Sequence, residues 1–381
     1  MLLFLLIFLT LYSAMHLLVF WGIHPLLAGH PLLPTLNWVW MGLMIAAPLL
    51  VLLLERSSHE LAARALAWVG YSWMGFLFIA FSLCTLLGGW ELLCWLLGRA
   101  WPLAAKFSLH GGLSAGLIVA TTLAAGLYGI YEAAHLRVER VTLTSDKLPA
   151  GSRGLRIVQL SDLHLGLIHR EETLAPIIAE LKQLRPDLLL ASGDVVDAQI
   201  NHLEGLSRLW QEVEVPLGKF AVTGNHEVYA GLEQALEFLG ASGFQVLRDA
   251  VVTLPGNLAL VGVDDPATGR SAAEAALLQQ VSRSRFTILL KHRPRIEPAA
   301  RGRFDLQLSG HAHRGQIFPF NYLTGLEFPM QDGLYPLPEG GHLYTSRGTG
   351  TWGPPMRILS PPELTVFDIV PPPTATTNPV K

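Results

Sequence analysis

Residues 153–164 read RGLRIVQLSDLH, an apolar run that changes abruptly into a polar cluster carrying Asp162 and His164. The same grammar recurs downstream. DLLLAS ends in Gly193-Asp194, with Asp197 close behind. GKFAVT ends in Gly224-Asn225-His226-Glu227, RFTILL in Lys291-His292, and FDLQLS in Gly310-His311-Ala312-His313. Each run has strand length. Stretches at about 171–184, 200–214, 231–242 and 271–283 read as helices between them. Strands alternating with helices predict an α/β layered domain. Open α/β sheets present ligand-binding groups at the carboxyl ends of their strands. The polar clusters are therefore expected to meet in one place.

Outward from this core, 136–152 reads as a polar connector and Glu363–Val370 as a closing strand. The Gly-, Pro- and aromatic-rich stretch 315–357 predicts long loops, and the Pro/Thr-rich tail 371–381 predicts disorder. The domain proper covers 153–370.

Upstream the composition changes. The chain has 381 residues, 51% apolar and only 15% charged, against roughly 25% charged in an ordinary soluble protein. Through His135 the only charged side chains are Glu55, Arg56, Glu60, Arg64, Glu91, Arg99, Lys106 and Glu132. About 20 apolar residues cross a bilayer as helix. Leu2–Trp21, Leu36–Leu54, Ala65 to about Leu87 and Gly111–Tyr131 fit that length, so 1–135 reads as a transmembrane helical region of four spans. The first lacks the basic start of a signal peptide and reads as a retained span. The last is rich in small residues that let helices pack closely in lipid. Trp90–Leu97 reads either as a continuation of the third span or as a re-entrant piece. With four spans, Arg56, Arg64, Arg137 and Arg140 share a side with the downstream domain, whereas Arg99 and Lys106 lie opposite. The positive-inside rule then puts that domain in the cytoplasm.

The net charge of −3 leaves no basic footprint for nucleic acid. Both cysteines, Cys84 and Cys94, lie in the apolar region, so the downstream domain has no thiolate metal site. A transporter reading needs intramembrane ionisable groups, and only Glu91 and His16 offer themselves. An anchor that brings a catalytic domain to the bilayer is the simpler expectation.

The strand ends deliver Asp162, His164, Asp194, Asp197, Asn225, His226, His292, His311 and His313. Imidazole and carboxylate without thiolate suit Mn, Fe, Zn, Ni or Co, and the number of groups suits a pair of ions working on a phosphate ester. A strand-end Asp is ordinarily a turn or cap residue, and an Asn after Gly is ordinarily a turn residue. The ordered recurrence of these groups argues otherwise here. His169, His202 and His342 stand outside it and read as solvated or structural.

The ordered set D-x-H, G-D-x-x-D, G-N-H-[DE], isolated His and G-H-x-H resembles the calcineurin-like metallophosphoesterases, and with the apolar front end their bacterial multispan transmembrane subgroup. The resemblance covers about 153–370, where SRGTGTWGPPMR and SPPELTVFDI also resemble that subgroup's closing region. It implies a fold of two mixed β-sheets sandwiched between helices. It further implies that Asp162, His164 and His313 hold one metal, Asn225, His292 and His311 a second, and that Asp194 bridges them. His226 then stands at the leaving group as acid or charge stabiliser, oriented by Asp197, and a metal-bound hydroxide attacks. The implied protein is a multi-pass enzyme of the bacterial inner membrane. It hydrolyses a phosphomonoester, phosphodiester or pyrophosphate of a small molecule or lipid, with manganese the leading metal. The rival expectation is a catalytically weak metal-binding sensor or scaffold, but a degenerate member should have lost ligands, and none is missing here. Two departures stand out: Ala198 where the family often has Arg, and Arg314 where a small residue is common. Arg314, Arg347 and Arg357 are candidate phosphate contacts, as is Arg293.

Overall fold

The computed structural model describes residues 2–149, 151–197, 203, 205–270 and 273–373. Ala198, His202 and the tail beyond 373 lie outside these. The chain divides into two compact units: Met1–Glu132 with Gly353–Ile358, and Ala133–Trp352 with Leu359–Lys381.

The first unit holds helices α1 (Leu2–Leu27), α2 (Leu33–Arg56), α3 (Glu60–Gly98) and α4 (Gly112–Ala133). All four are long and apolar enough to cross a membrane. Helix satisfies each backbone polar group within its own segment, which lipid demands. At 39 residues, α3 extends about 58 Å at 1.5 Å per residue, well beyond the roughly 30 Å of a hydrocarbon core. It runs unbroken through Trp90–Leu97, so that stretch is not re-entrant. Small residues permit close approach, as expected: a Cβ on Gly126 would lie 2.0 Å from the Phe76 ring.

Neither ionisable candidate for a transport path stands open. Glu91 accepts hydrogen bonds from Ser108 Oγ (2.7 Å), Leu109 N (2.6 Å) and His110 N (2.9 Å), fixing the loop that leads into α4. His16 Nε2 accepts from Trp73 Nε1 at 3.0 Å. That leaves its proton on Nδ1, which donates to Tyr12 O at 2.8 Å.

The second unit contains, in chain order, β1 (Arg137–Thr144), β2 (Leu155–Leu160), α5 (Glu171–Leu184), β3 (Leu188–Ala191), α6 (Leu206–Gln211), β4 (Lys219–Ala221), α7 (Asn225–Ala241) and β5 (Phe244–Val246). There follow β6 (Ala250–Leu254), β7 (Leu258–Gly262), α8 (Glu274–Gln279), β8 (Phe286–Leu290), β9 (Leu306–Ser309), α9 (Asn321–Glu327), β10 (Gly333–Pro336), β11 (His342–Thr345) and β12 (Glu363–Val370). They form two six-stranded sheets, ordered β1-β12-β2-β3-β4-β5 and β10-β11-β9-β8-β7-β6. Both are mixed. β2 to β5 run parallel and β12 antiparallel to β2, while β7, β8, β9 and β11 run parallel between antiparallel edge strands β6 and β10.

The apolar runs are continuous because both faces of each sheet are covered. Ile157, Leu188, Leu190 and Phe220 of the first sheet meet Leu260, Ile288, Leu290 and Leu308 of the second in a common core. On the outer face Val158, Leu160, Leu189 and Ala191 pack against Leu174, Ile177, Leu181 and Leu239 of α5 and α7 and against Trp210. On the second sheet's outer face Val261 and Leu289 pack against Leu278 of α8, so the layers are helix, sheet, sheet, helix.

Three local expectations change. Arg137–Thr144, read as connector, is an edge strand paired in parallel with β12. The stretch read as loops between 315 and 357 contains α9, β10 and β11. α7 begins at Asn225, because Glu227 accepts from the Gly224 amide and caps the first turn.

Candidate metal centre

The strand-end clusters converge. Ligand atoms of Asp162, His164 and His313 lie within 4.8 Å of one another, as do those of His164, Asp194 and His226, and those of Asp194, His292 and His311. Sharing of His164 and Asp194 fuses the three groups into one cluster.

The backbone is bent to make this possible. Asp162, His164, Asp194, His311 and His313 all take left-handed conformations, with φ between 47° and 70°. Non-glycine residues avoid that region unless surrounding contacts enforce it, and such strain gathers at functional sites. Here backbone bonds enforce it: Asp162 N donates to Gly193 O and His164 N to Asp194 O, each at 3.0 Å, which lays the two turns side by side. Asp162 accepts the His311 amide at 3.0 and 3.1 Å, tying the last cluster to the first. A Cβ on Gly310 would lie 2.2 Å from Asp162 Oδ2, so this glycine is required by space.

Several of the side chains are oriented by a hydrogen-bond partner. His292 Nδ1 donates to Ser192 O at 2.9 Å, which turns Nε2 toward Asp194 Oδ2 at 3.0 Å. His311 Nδ1 lies 3.1 Å from the same Nε2. His164 Nε2 faces His313 Nε2 at 3.2 Å, and His313 Nε2 is 3.3 Å from Asp162 Oδ1. Asn225 follows Gly224, which abuts Asp194, and the next amide, His226 N, donates to Asp194 Oδ1 at 2.8 Å. His226 Nδ1 is bonded to Asp197 Oδ1 at 2.9 Å.

Charge is as concentrated as geometry. Burial would raise Asp162 and Asp194, but the imidazoles around them, His313 and His292 foremost, hold both well below the usual carboxylate range. Burial and then His226 push His164 down to about 3; burial and then His292 push His311 down to about 3. His292 goes the other way. Burial opposes its charge, yet Asp194 draws it up to about 10. The two carboxylates thus demand positive charge in the space between them. Among the described residues, His164 Nδ1 and Asn225 Oδ1 are buried with no hydrogen-bond partner, a costly state for a polar atom. Unpartnered nitrogen and oxygen atoms beside buried carboxylates fit divalent cations with nitrogen and oxygen preference.

One residue carries a role the motifs did not assign. Glu227, fully buried, accepts hydrogen bonds from Asp194 N (3.0 Å), Val195 N (2.7 Å), Val196 N (3.3 Å) and Gly224 N (2.6 Å). It clamps the G-D-x-x-D turn to the G-N-H-E turn. Its place directly after His226 was the only signal in the sequence. Burial, and then the Asp194 charge, push its carboxyl up to about 7.

The arginines divide. Arg314 adjoins His313 and pairs with Asp332 at 3.3 Å on a part-exposed side chain. Arg293 is committed to Asp265 through two bonds of 2.8 and 3.0 Å. Arg347 is largely buried and committed to Glu139 and Glu363. Arg357 is fully buried and belongs to the helical unit, where its amide donates to Gly129 O at 2.9 Å. His169 bonds Thr351 and Thr173, as a structural residue would.

The family model for calcineurin-like phosphoesterases matches residues 155–315. An uncharacterized metallophosphoesterase of Aquifex aeolicus is 41% identical over 250 residues, 64% of this chain and 95% of that one. Another, from Bacillus subtilis, is 33% identical over 281 residues and is covered over 94% of its length. A "transmembrane protein with metallophosphoesterase domain" of Danio rerio is 35% identical over 65% of this chain, although the match takes in only 60% of that longer protein. The chain belongs to the calcineurin-like metallophosphoesterases, which makes it a metal-dependent phosphoester hydrolase.

Proposed function

We propose that this enzyme hydrolyses a phosphomonoester, phosphodiester or pyrophosphate bond at a centre of two divalent ions, with manganese the leading metal. The observation that carries the reading is the fused cluster, in which Asp194 belongs to two ligand groups at once. Asp162, His164 and His313 would hold one ion, Asn225, His292 and His311 the other, and Asp194 would bridge. Bound ions of this kind act as Lewis acids on phosphoryl oxygen and lower the pKa of water.

The chain's own residues do the rest. His226 is assigned to the leaving group rather than to an ion. Its Nδ1 is engaged by Asp197, which fixes the ring and leaves Nε2 to hand a proton to the departing oxygen. Burial alone would strip that proton, but the bond to Asp197 and the nearby Asp194 raise the imidazole above its ordinary pKa. Asp197 is a positioning residue, as is Glu227. Arg314 is the remaining candidate for a phosphate contact.

The substrate is assigned to the membrane face, lipid-linked or membrane-proximal, because the same chain carries four helices able to cross a bilayer. The Arg56, Arg64, Arg137 and Arg140 bias favours a cytoplasmic hydrolase unit. The test is turnover by the purified full chain with Mn²⁺ of a generic phosphodiester, a phosphomonoester and a nucleoside-diphosphate lipid. Asp194→Ala should abolish it. Equal turnover by both proteins overturns the assignment.

A further inference from the structure

The second unit's core is densely apolar, yet some of its large apolar side chains face outward, and they are not scattered. Among the described residues of this unit, the exposed large apolar side chains fall on a few segments, most of which are tied by a ring contact or hydrogen bond to a residue of the cluster. The main group is Phe318, Phe320, Tyr322, Leu323 and Leu326, on α9 and the turn before it, with Tyr322 67% and Leu326 81% exposed. This segment is anchored to the site at both ends. Gln316 exchanges two hydrogen bonds of 2.9 Å with the backbone of Trp352, and Phe328 packs edge-on against the His311 ring at 5.1 Å. Exposed Trp352 and Tyr229 both lie against His226, at 5.6 and 5.4 Å between ring centres. Leu359 precedes Ser360, whose hydroxyl donates to His313 O at 2.7 Å. Leu334 follows close on Asp332, the partner of Arg314.

A short helix on a water-soluble domain normally turns its apolar side chains inward. Here Tyr322, Leu323 and Leu326 point out, and their backbone is held in place. Gly315, at φ 73°, lets the chain fold so tightly that a Cβ there would lie 2.4 Å from Asn321 N. The outward face is thus part of the site's architecture. Contiguous exposed apolar surface of this kind marks an interaction site.

We propose that the Phe318–Leu326 surface, with Trp352 and Tyr229, docks into the headgroup–acyl boundary of a lipid bilayer. Two observations choose this occupant. Four helices of the same chain are able to cross a bilayer, so lipid is the surface at hand wherever the enzyme resides. The residues are Phe, Tyr, Trp and Leu, the types that favour the interface, where an apolar face sinks about 5–10 Å. Docking sets the cluster at headgroup level, where it meets phosphoesters of amphiphiles. This last consequence rests on the hydrolytic reading above; the docking itself does not.

The test uses the full chain in nanodiscs of phosphatidylethanolamine and phosphatidylglycerol, with Cys84 and Cys94 replaced. An environment-sensitive fluorophore is placed at Leu326→Cys, at Tyr322→Cys, and at Glu214→Cys as an exposed control remote in sequence from the patch. Nitroxide lipids labelled high on the acyl chain should quench the first two by about twofold or more and leave the third unchanged, as interfacial depth requires. No quenching at 326 and 322, or equal quenching at all three positions, overturns the proposal. So does energy transfer between labelled copies that vanishes on dilution, which assigns the surface to a second copy. The readout needs no turnover. An inactive protein that is quenched defeats the hydrolytic reading alone, and an active one that is not quenched defeats the docking alone.

Discussion

Replacing Glu227 by Ala should loosen the metal centre without touching any ligand. The carboxylate receives three short bonds, from Gly224 N (2.6 Å), Val195 N (2.7 Å) and Asp194 N (3.0 Å), and a longer one from Val196 N (3.3 Å). Each buried donor left unpaired costs roughly 1–3 kcal/mol. Water entering the vacated space recovers part of this, so the net loss should be about 3–5 kcal/mol. For a unit of this size that is a fall of roughly 6–20 °C in melting temperature. Glu227→Gln keeps one acceptor oxygen and should lose about half as much. Because the same bonds hold Asp194 at φ 52°, Mn²⁺-supported hydrolysis should drop about 10–100-fold in the molecules that remain folded, as for other residues that orient metal ligands. Hydrogen exchange localises the effect: in Glu227→Ala, the amides of Asp194, Val195 and Gly224 should lose protection while those of α5 do not. Unchanged melting, exchange and activity in the alanine variant would show that the carboxylate clamp is not what shapes the site.

Other consequences are equally open to measurement. Asp197→Asn removes the negative charge beside His226 Nδ1 that supports its protonated form, so the alkaline limb of the pH–rate profile should shift to lower pH and turnover fall about 10–100-fold; an unmoved limb contradicts the acid role of His226. Arg347→Ala should destabilise the second unit by about 3–5 kcal/mol, because it strands the buried Glu363 carboxylate, with kcat/KM per folded molecule unchanged. A raised KM at unaltered stability would instead make Arg347 a substrate contact. In chelator, melting temperature should peak near pH 6.5. His164 and His311, pushed down to about 3, destabilise the fold as pH falls from 6.5 toward 3. His292, pushed up to about 10, contributes fully below 6.5 and loses that contribution as pH rises toward 10. Glu227, pushed up to about 7 from 4.5, opposes one of the two histidines between those values, and the raised carboxyls of Glu274 and Glu363 make the acid side shallower still above 4.5. A profile flat from pH 4 to 9 contradicts the burial of these imidazoles.

Much of this protein is legible from neighbouring residues. A run such as LRIVQL followed by SDLH declares both a strand and its end, because both faces of that strand are covered and its polar groups begin where the cover stops. The four apolar segments declare themselves by length alone, since a bilayer sets a minimum that local composition must meet. These signals are local, and the order of the D-x-H, G-D-x-x-D, G-N-H-E and G-H-A-H clusters rests on nothing else.

What the fold decided depends on which distant segments meet. Arg137–Thr144 looked like a connector because an edge strand can stay polar; only its pairing with β12 makes it a strand. Arg347 carries the same guanidinium as Arg314, but the fold pairs it with Glu139 and Glu363 rather than with Asp332. The left-handed turns at Asp162, His164 and Asp194 are held by backbone bonds between segments, and the turn at His311 by the Asp162 carboxylate. Glu227 became a clamp, and Phe318–Leu326 an outward apolar face, for the same reason. Burial and long-range hydrogen bonding are properties of the folded chain, and no short stretch of sequence contains them.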